Sequence, residues 1–165
     1  MARKDRTPVG EPERRIARLL LQESGQSPPV DVADLLRAKA IVEHDWLPGT
    51  WDAIMIRVPK AKPRGIMRRD ASPNRERFTM AHEIGHYVLH RDLIREDVVD
   101  DAMYRSALSD EYERQADRFA GQVLLPAQTV RETYKRTKAL SILAQLFDVS
   151  DAALRIRLSE LGLGA

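Results

Sequence analysis

The segment His82-Glu83-Ile84-Gly85-His86 combines two imidazoles and a carboxylate at a spacing that suits metal-assisted hydrolysis. Residues four apart share one face of a helix, so His82 and His86 can close on a single cation. Glu83 then stands beside them, placed to take a proton from an attacking water. The competing reading is an amphipathic core helix whose two histidines are satisfied by neighbours.

A catalytic zinc needs a third protein ligand and an open fourth position. The pattern H-E-x-x-H-x-x-G-x-x-H does not supply it, because Leu89 and Asp92 stand where Gly and His are required. His90 lies one turn beyond His86, about 6 Å further along the axis. It fits a helix cap, or a partner for a ligand histidine, better than a ligand. The segment after Ser109 offers another source. Ala116, Ala120, Val123 and Leu124 form an apolar stripe with Phe119 alongside, and Glu113 falls on that stripe. Glu111 shares its face with Gln115, Arg118 and Gln122, the polar side. A carboxylate aimed at a core needs a cation or donors. Zinc would satisfy Glu113, and an arginine partner is the other solution. Asp117 is placed either to orient a ligand histidine through its second ring nitrogen or to sit on the helix surface. Tyr104, Tyr112, Tyr134 and His90 are candidates for an oxyanion donor.

The elements that must hold these groups read as follows. Residues 1–10 form a flexible basic arm. Glu13 to Glu23 has Ile16, Leu19 and Leu20 at helical spacing, with Gly25 to end it. Asp31 caps a short helix from Val32 to Lys39. Strands are expected at Ala40 to Trp46, Ala53 to Val58 and Gly65 to Arg68, with Leu47-Pro48-Gly49 and Lys60 to Arg64 as turns. Ser72-Pro73 caps and opens a central helix that runs through His90. Residues 91–110 are acidic and aperiodic, a loop or short helix over the site. Ser109 caps a helix from Asp110 to Leu125. Helices at Pro126 to Arg136, Leu140 to Phe147 and Asp151 to Leu161 follow, the last capped by Ser150 and ended by Gly162. Helices, a small antiparallel three-stranded sheet and more helices make an α+β domain over residues 11–165.

Composition narrows the chemistry. At 165 residues and 43% hydrophobic, the chain can bury one proper core. Without cysteine it has no disulfide, no thiolate metal site and no thiol nucleophile. The charged start is not a secretory signal and no apolar run approaches a bilayer span, so a cytoplasmic location is expected. Charge is segregated. From Arg57 to Arg77 eight basic residues face two acidic ones, and from Asp92 to Glu113 eight acidic residues face two basic ones. The first segment is either an ordinary solvated surface or a patch (Arg64, Arg68, Arg69, Arg75, Arg77) that meets DNA or an acidic partner. No aromatic residues interleave it for base stacking. Leu143 to Leu158 has the outline of a helix-turn-helix, with Arg155 and Arg157 as its groove-facing residues and Asp148 where a tight turn favours Gly.

Arg77-Phe-Thr-Met-Ala-His82-Glu-Ile-Gly-His86-Tyr-Val-Leu-His90 and Glu113-Arg-Gln-Ala116-Asp-Arg-Phe119-Ala120-Gly-Gln-Val-Leu-Leu-Pro126 together resemble the ImmA/IrrE family of bacterial and phage metallopeptidases. The chain departs from the family pattern at Leu125, where Met is usual, a volume-conserving change. The closing segment, residues 139–162, is also similar, so the likeness runs over about residues 30–162. It implies a minimal zincin-like domain of the gluzincin type, with one zinc ion on His82, His86 and Glu113 and Glu83 as general base. It also implies a helix-turn-helix repressor as substrate, cut so that phage, mobile-element, stress or defence genes are switched on. The alternative is a zinc-bound regulator that sequesters a repressor, or binds DNA, without cleavage.

Overall fold

The computed structural model describes residues 10–47, 52–56, 61–90 and 110–164. The arm at 1–9, the Pro48-Gly49 turn, Ser109, Tyr104 and the acidic stretch 91–109 lie outside the described residues.

Helix α1, Glu11–Ser24, starts with Pro12 and two glutamates in its first turn, where a free N–H is not needed and negative charge suits the dipole. Gly25 closes it in the left-handed region, φ 67°, and donates its N–H to Gln22 O. The face it buries is Glu13, Ala17 and Leu20. Leu19 is exposed, contrary to the expected stripe. Helix α2, Val32–Lys39, is capped by Asp31 Oδ1, which accepts from Asp34 N–H at 2.9 Å.

The strands are β1, Ile41–Asp45, β2, Ala53–Ile56, and β3, Arg64–Arg68. The sheet order is β1-β3-β2. The expectation of an all-antiparallel sheet is overturned: β2 pairs antiparallel with β3, but β1 and β3 are parallel, with Val42 opposite Gly65. The physical reason lies in what each strand can bury. β3 turns Gly65 and Met67 inward and suits the centre, whereas Glu43, His44 and Asp45 suit β1 to an edge. A parallel pair needs a long crossover, and the segment carrying β2 provides it.

Helix α3, Pro73–Leu89, begins at Pro73, but the Ser72 side chain makes no capping bond. Pro73 supplies the fixed φ and lacks the N–H that would need a partner. The helix stops one residue sooner than expected. His90 closes it, its N–H donated to His86 O at 2.9 Å. Thr79 to Ala81 and Glu83 to His86 are all buried, which makes α3 the central helix.

Four further helices complete the described chain: α4, Asp110–Leu124; α5, Ala127–Arg136; α6, Leu140–Phe147; and α7, Asp151–Glu160. Pro126 precedes α5 as its cap residue rather than joining it. Ser150 Oγ accepts from Ala153 N–H to start α7. Phe119, Phe147, Leu36, Met67, Ile84, Leu143 and Leu154 are the largest fully buried side chains, so both halves of the chain share one core. No helix among the described residues is long and apolar enough to cross a membrane.

The face of α4 read as its polar side is not solvated. Gln122 is buried, and Arg118 donates to Glu13 of α1 from both Nε (3.0 Å) and Nη2 (2.8 Å). Burial works against the Arg118 charge, but Glu111 and Glu13 outweigh it and hold its pKa above the usual value.

Helices α3 and α4 touch at Gly85. A Cβ there would meet Phe119 Cδ1 at 3.1 Å, Ala116 Cα at 3.2 Å and Ala116 O at 3.3 Å. Two of those atoms are backbone, so relief requires the helices to separate. Gly85→Ala is therefore expected to cost about 1–3 kcal/mol, read as a lower midpoint in urea denaturation. A midpoint unchanged from the parent would show that the contact is not tight.

Candidate metal centre

One turn of α3 carries His82 and His86 to the same side, and α4 crosses close enough for Glu113 to reach both. Glu113 Oε2 lies 3.3 Å from His82 Nε2, and its Oε1 lies 3.4 Å from His86 Nε2. The two Nε2 atoms are 2.9 Å apart. Zinc bonds of about 2.0–2.1 Å at tetrahedral angles place donor atoms about 3.3–3.4 Å from one another. The two imidazole–carboxylate distances match that spacing, and the Nε2 atoms would have to part by about 0.4 Å to reach it, so the three groups suit a small cation after a slight opening. Among the described residues these three are the group that can hold a metal ion.

The far side of each ring shows how the near side is prepared. His82 Nδ1 donates to Asp117 Oδ1 at 2.9 Å. His86 Nδ1 meets His90 Nδ1 at 3.0 Å, and His90 Nε2 meets Gln115 Oε1 at 2.8 Å. A carbonyl oxygen only accepts, so His90 carries its proton on Nε2. Its Nδ1 is then the acceptor for His86 Nδ1–H, and the lone pair of His86 is left on Nε2. Burial lowers the His90 pKa, in keeping with a neutral ring. Both candidate ligands are thus held with Nε2 available.

Burial pulls the His82 pKa down, but hydrogen bonds to Asp117 and Glu113 outweigh it and raise the value to about 9. The contact with His82 also holds the Glu113 carboxyl far below the ordinary carboxylate range. Glu83 follows His82 directly and is only 4% exposed.

The remaining expected residues scatter. Tyr112 lays its ring 4.9 Å from that of His90, on the Nδ1 side of His86. Tyr134 lies beside Gly164 in the C-terminal tail, with Lys138 Nζ 5.6 Å from its ring centre. The five arginines of the expected patch all meet acceptors of this chain. Arg64 pairs with Glu43, Arg68 with Asp52 and Asp70, Arg75 with Asp52, and Arg77 with Asp148, while Arg69 donates to His44 O. Arg157, expected on a groove-facing surface, is 6% exposed and donates to Leu125 O and Glu160. Desolvation there outweighs the acceptors and lowers the Arg157 pKa, and the side chain serves the packing of α7. Asp148 does adopt the left-handed turn conformation, φ 52°, and its carboxylate meets Arg77 Nε at 3.1 Å. The participant missed in the sequence is Gln115. Its partner comes from another helix, so no local spacing signals it.

The family model described as IrrE N-terminal-like domain matches residues 62–159. The chain is 27% identical over 131 residues to "Metallopeptidase ImmA" of Bacillus subtilis (strain 168), covering 78% of this chain and 68% of that protein. Its fold is similar to a solved structure titled "Mycobacterium tuberculosis transcriptional regulator", with a TM-score of 0.65 and 23% identity. That likeness covers 90% of this chain and 56% of the other.

Two expectations follow from the geometry. Asp117→Asn is expected to weaken zinc binding about 10–100-fold in a chelator competition, with the fold intact; unchanged affinity would leave Asp117 a surface residue. Zinc must also displace the proton that His82 holds up to about pH 9. Apparent affinity should therefore fall about tenfold per pH unit below that value. For the chelated protein the sign is the reverse. The raised His82 contributes fully below 6.5 and loses its contribution as pH rises through about 9. The depressed Glu113 contributes above 4.5 and less as pH falls below it. The stabilising effect of this pair should be greatest between those two values, measured as thermal midpoints across pH. A zinc affinity independent of pH would contradict the assignment of His82.

Proposed function

We propose that this chain, which belongs to the ImmA/IrrE family of metallopeptidases, is a zinc-dependent endopeptidase that cleaves a helix-turn-helix transcriptional repressor. The observation that carries this reading is the triangle of His82 Nε2, His86 Nε2 and the Glu113 carboxylate, with both Nδ1 atoms already committed. Two imidazoles and one carboxylate form a donor set suited to catalytic zinc. An H-E-x-x-H helix completed by a glutamate from the next described helix supports the gluzincin type of zincin-like fold.

When bound, zinc supplies Lewis acidity that lowers the pKa of water toward neutrality and polarises a carbonyl. The protein supplies the rest. Asp117 and the His90–Gln115 chain fix the imidazoles. Glu83, buried beside His82, accepts a proton from the water that adds to the scissile carbonyl carbon. It then returns that proton to the amide nitrogen as the C–N bond breaks. An edge of the small sheet pairs with an extended stretch of substrate through backbone hydrogen bonds, which favours a linker over a folded domain. In this reading residues 11–165 act as one peptidase domain, closed by 139–162. The reaction takes place in the cytoplasm, and cleavage derepresses phage, mobile-element, stress or defence genes. The DNA-binding alternative has less support, because the arginines of the basic patch and Arg157 already hold acceptors of this chain.

Glu83→Gln separates cleavage from sequestration. The variant is expected to keep zinc and repressor binding while hydrolysis of a co-expressed repressor falls by about 10²–10⁴, followed by immunoblot and a reporter of the repressed promoter. Derepression at the parent level in this variant would overturn cleavage in favour of sequestration.

A further inference from the structure

Glycine is costly inside a helix because it loses more backbone freedom on folding than any other residue. Among the described residues α3 and α4 each contain one. The contact with Ala116 and Phe119 requires Gly85. Packing does not require Gly121, since a Cβ there would meet nothing within 4 Å. Its missing side chain instead leaves space. Gly121 lines a cavity of about 480 Å³ between α4 and α7, walled by Phe78, Leu124, Val149 and Ile156. Ile156 is 63% exposed and Phe78 37%, so part of this apolar wall faces water.

The cavity adjoins the metal centre. Asp117, which accepts from His82, is also part of its wall, and the Phe78 ring is 6.4 Å from that of His82. Guanidinium groups dominate the polar lining. Arg114 and Arg118 are matched by Glu111 and Glu13. Arg157 is not fully matched: Nε donates to Leu125 O and Nη1 to Glu160, but buried Nη2 has no partner. The two carboxylates in the wall are already committed, Asp117 to His82 and Glu160 to Arg157. The polar part of the wall thus presents three guanidinium groups, and an arriving carboxylate would be drawn to them by charge.

We propose that this cavity is the subsite that selects the protein substrate, taking a segment whose large apolar side chains fill the space beside Gly121 and whose adjacent carboxylate meets the arginine-lined wall. A pocket of this volume is in the range that holds small ligands, about 300–1,000 Å³, and so accepts more than one side chain. The assignment rests on reading the neighbouring cluster as a peptidase centre. Binding in the cavity nevertheless does not require the metal, which lets the two be tested apart.

The test uses the full chain carrying Glu83→Gln, with zinc and after chelation. Three fluorescein-labelled synthetic peptides differ only in a central Leu-Phe-Glu, Leu-Phe-Lys or Ser-Ser-Glu, and binding is read by anisotropy. The Leu-Phe-Glu peptide is expected to bind about tenfold tighter than either control, with and without zinc. Adding Gly121→Leu should weaken it about tenfold while leaving the far-UV circular dichroism and zinc affinity unchanged. Gly121→Ala, which adds only a methyl to open space, should keep it. Failure to discriminate among the peptides, including no binding at all, overturns the subsite. So does parent-level binding by the Gly121→Leu variant. If the peptides discriminate but the unmutated chain hydrolyses no repressor, the subsite stands and the peptidase reading falls.

Discussion

The backbone of α3 at Gly85 rests against the backbone of α4 at Ala116, and the candidate metal centre depends on that contact. His82 and His86 flank Gly85 on one helix, and Glu113 stands one turn before Ala116 on the other. The carboxylate therefore reaches both Nε2 atoms only while the helices are this close. A side chain at 85 would have to displace main-chain atoms. The added separation would lengthen the donor distances directly. Here the spacing of two helices and the geometry of a coordination site are one quantity.

The imidazoles of His82 and His86 are braced differently. His82 leans on an exposed carboxylate, whereas His86 leans on a buried neutral chain through His90 to an amide. An anionic partner strengthens the basicity of its imidazole more than a neutral acceptor does. The asymmetry also has a spatial meaning, because Asp117 faces the cavity beside Gly121. One side chain thus touches both the ligand histidine and the wall where an apolar segment would settle.

Much of the site was legible in the chain because its logic is local. H-E-x-x-H needs only helical spacing, and the helix formed. Glu113 was legible as a carboxylate on an apolar stripe, a conflict that only a cation or donors resolve. Asp31, Gly25 and Ser150 were legible as caps because a cap is a relation between near neighbours. What was not legible came from distant pairs. Gln115 and Arg118 share a face that composition marks as polar, yet one meets His90 and the other meets a buried glutamate on α1. The parallel pairing of β1 and β3 likewise depends on which strand can afford an edge, which turn residues do not encode. Arg157 looked solvent-facing because arginine usually is; here the carbonyl of Leu125 and the carboxylate of Glu160 draw it inward.

The pairing of Glu13 with Arg118 joins residues 105 positions apart in the chain, one of them 4% exposed at its side chain. A carboxylate that deep has no tolerable environment until its arginine arrives. During synthesis, α1 must therefore remain hydrated until the helix bearing Arg118 has left the ribosome, and that same helix brings Glu113. Compaction of the first segment and the meeting of His82, His86 and Glu113 become one late event.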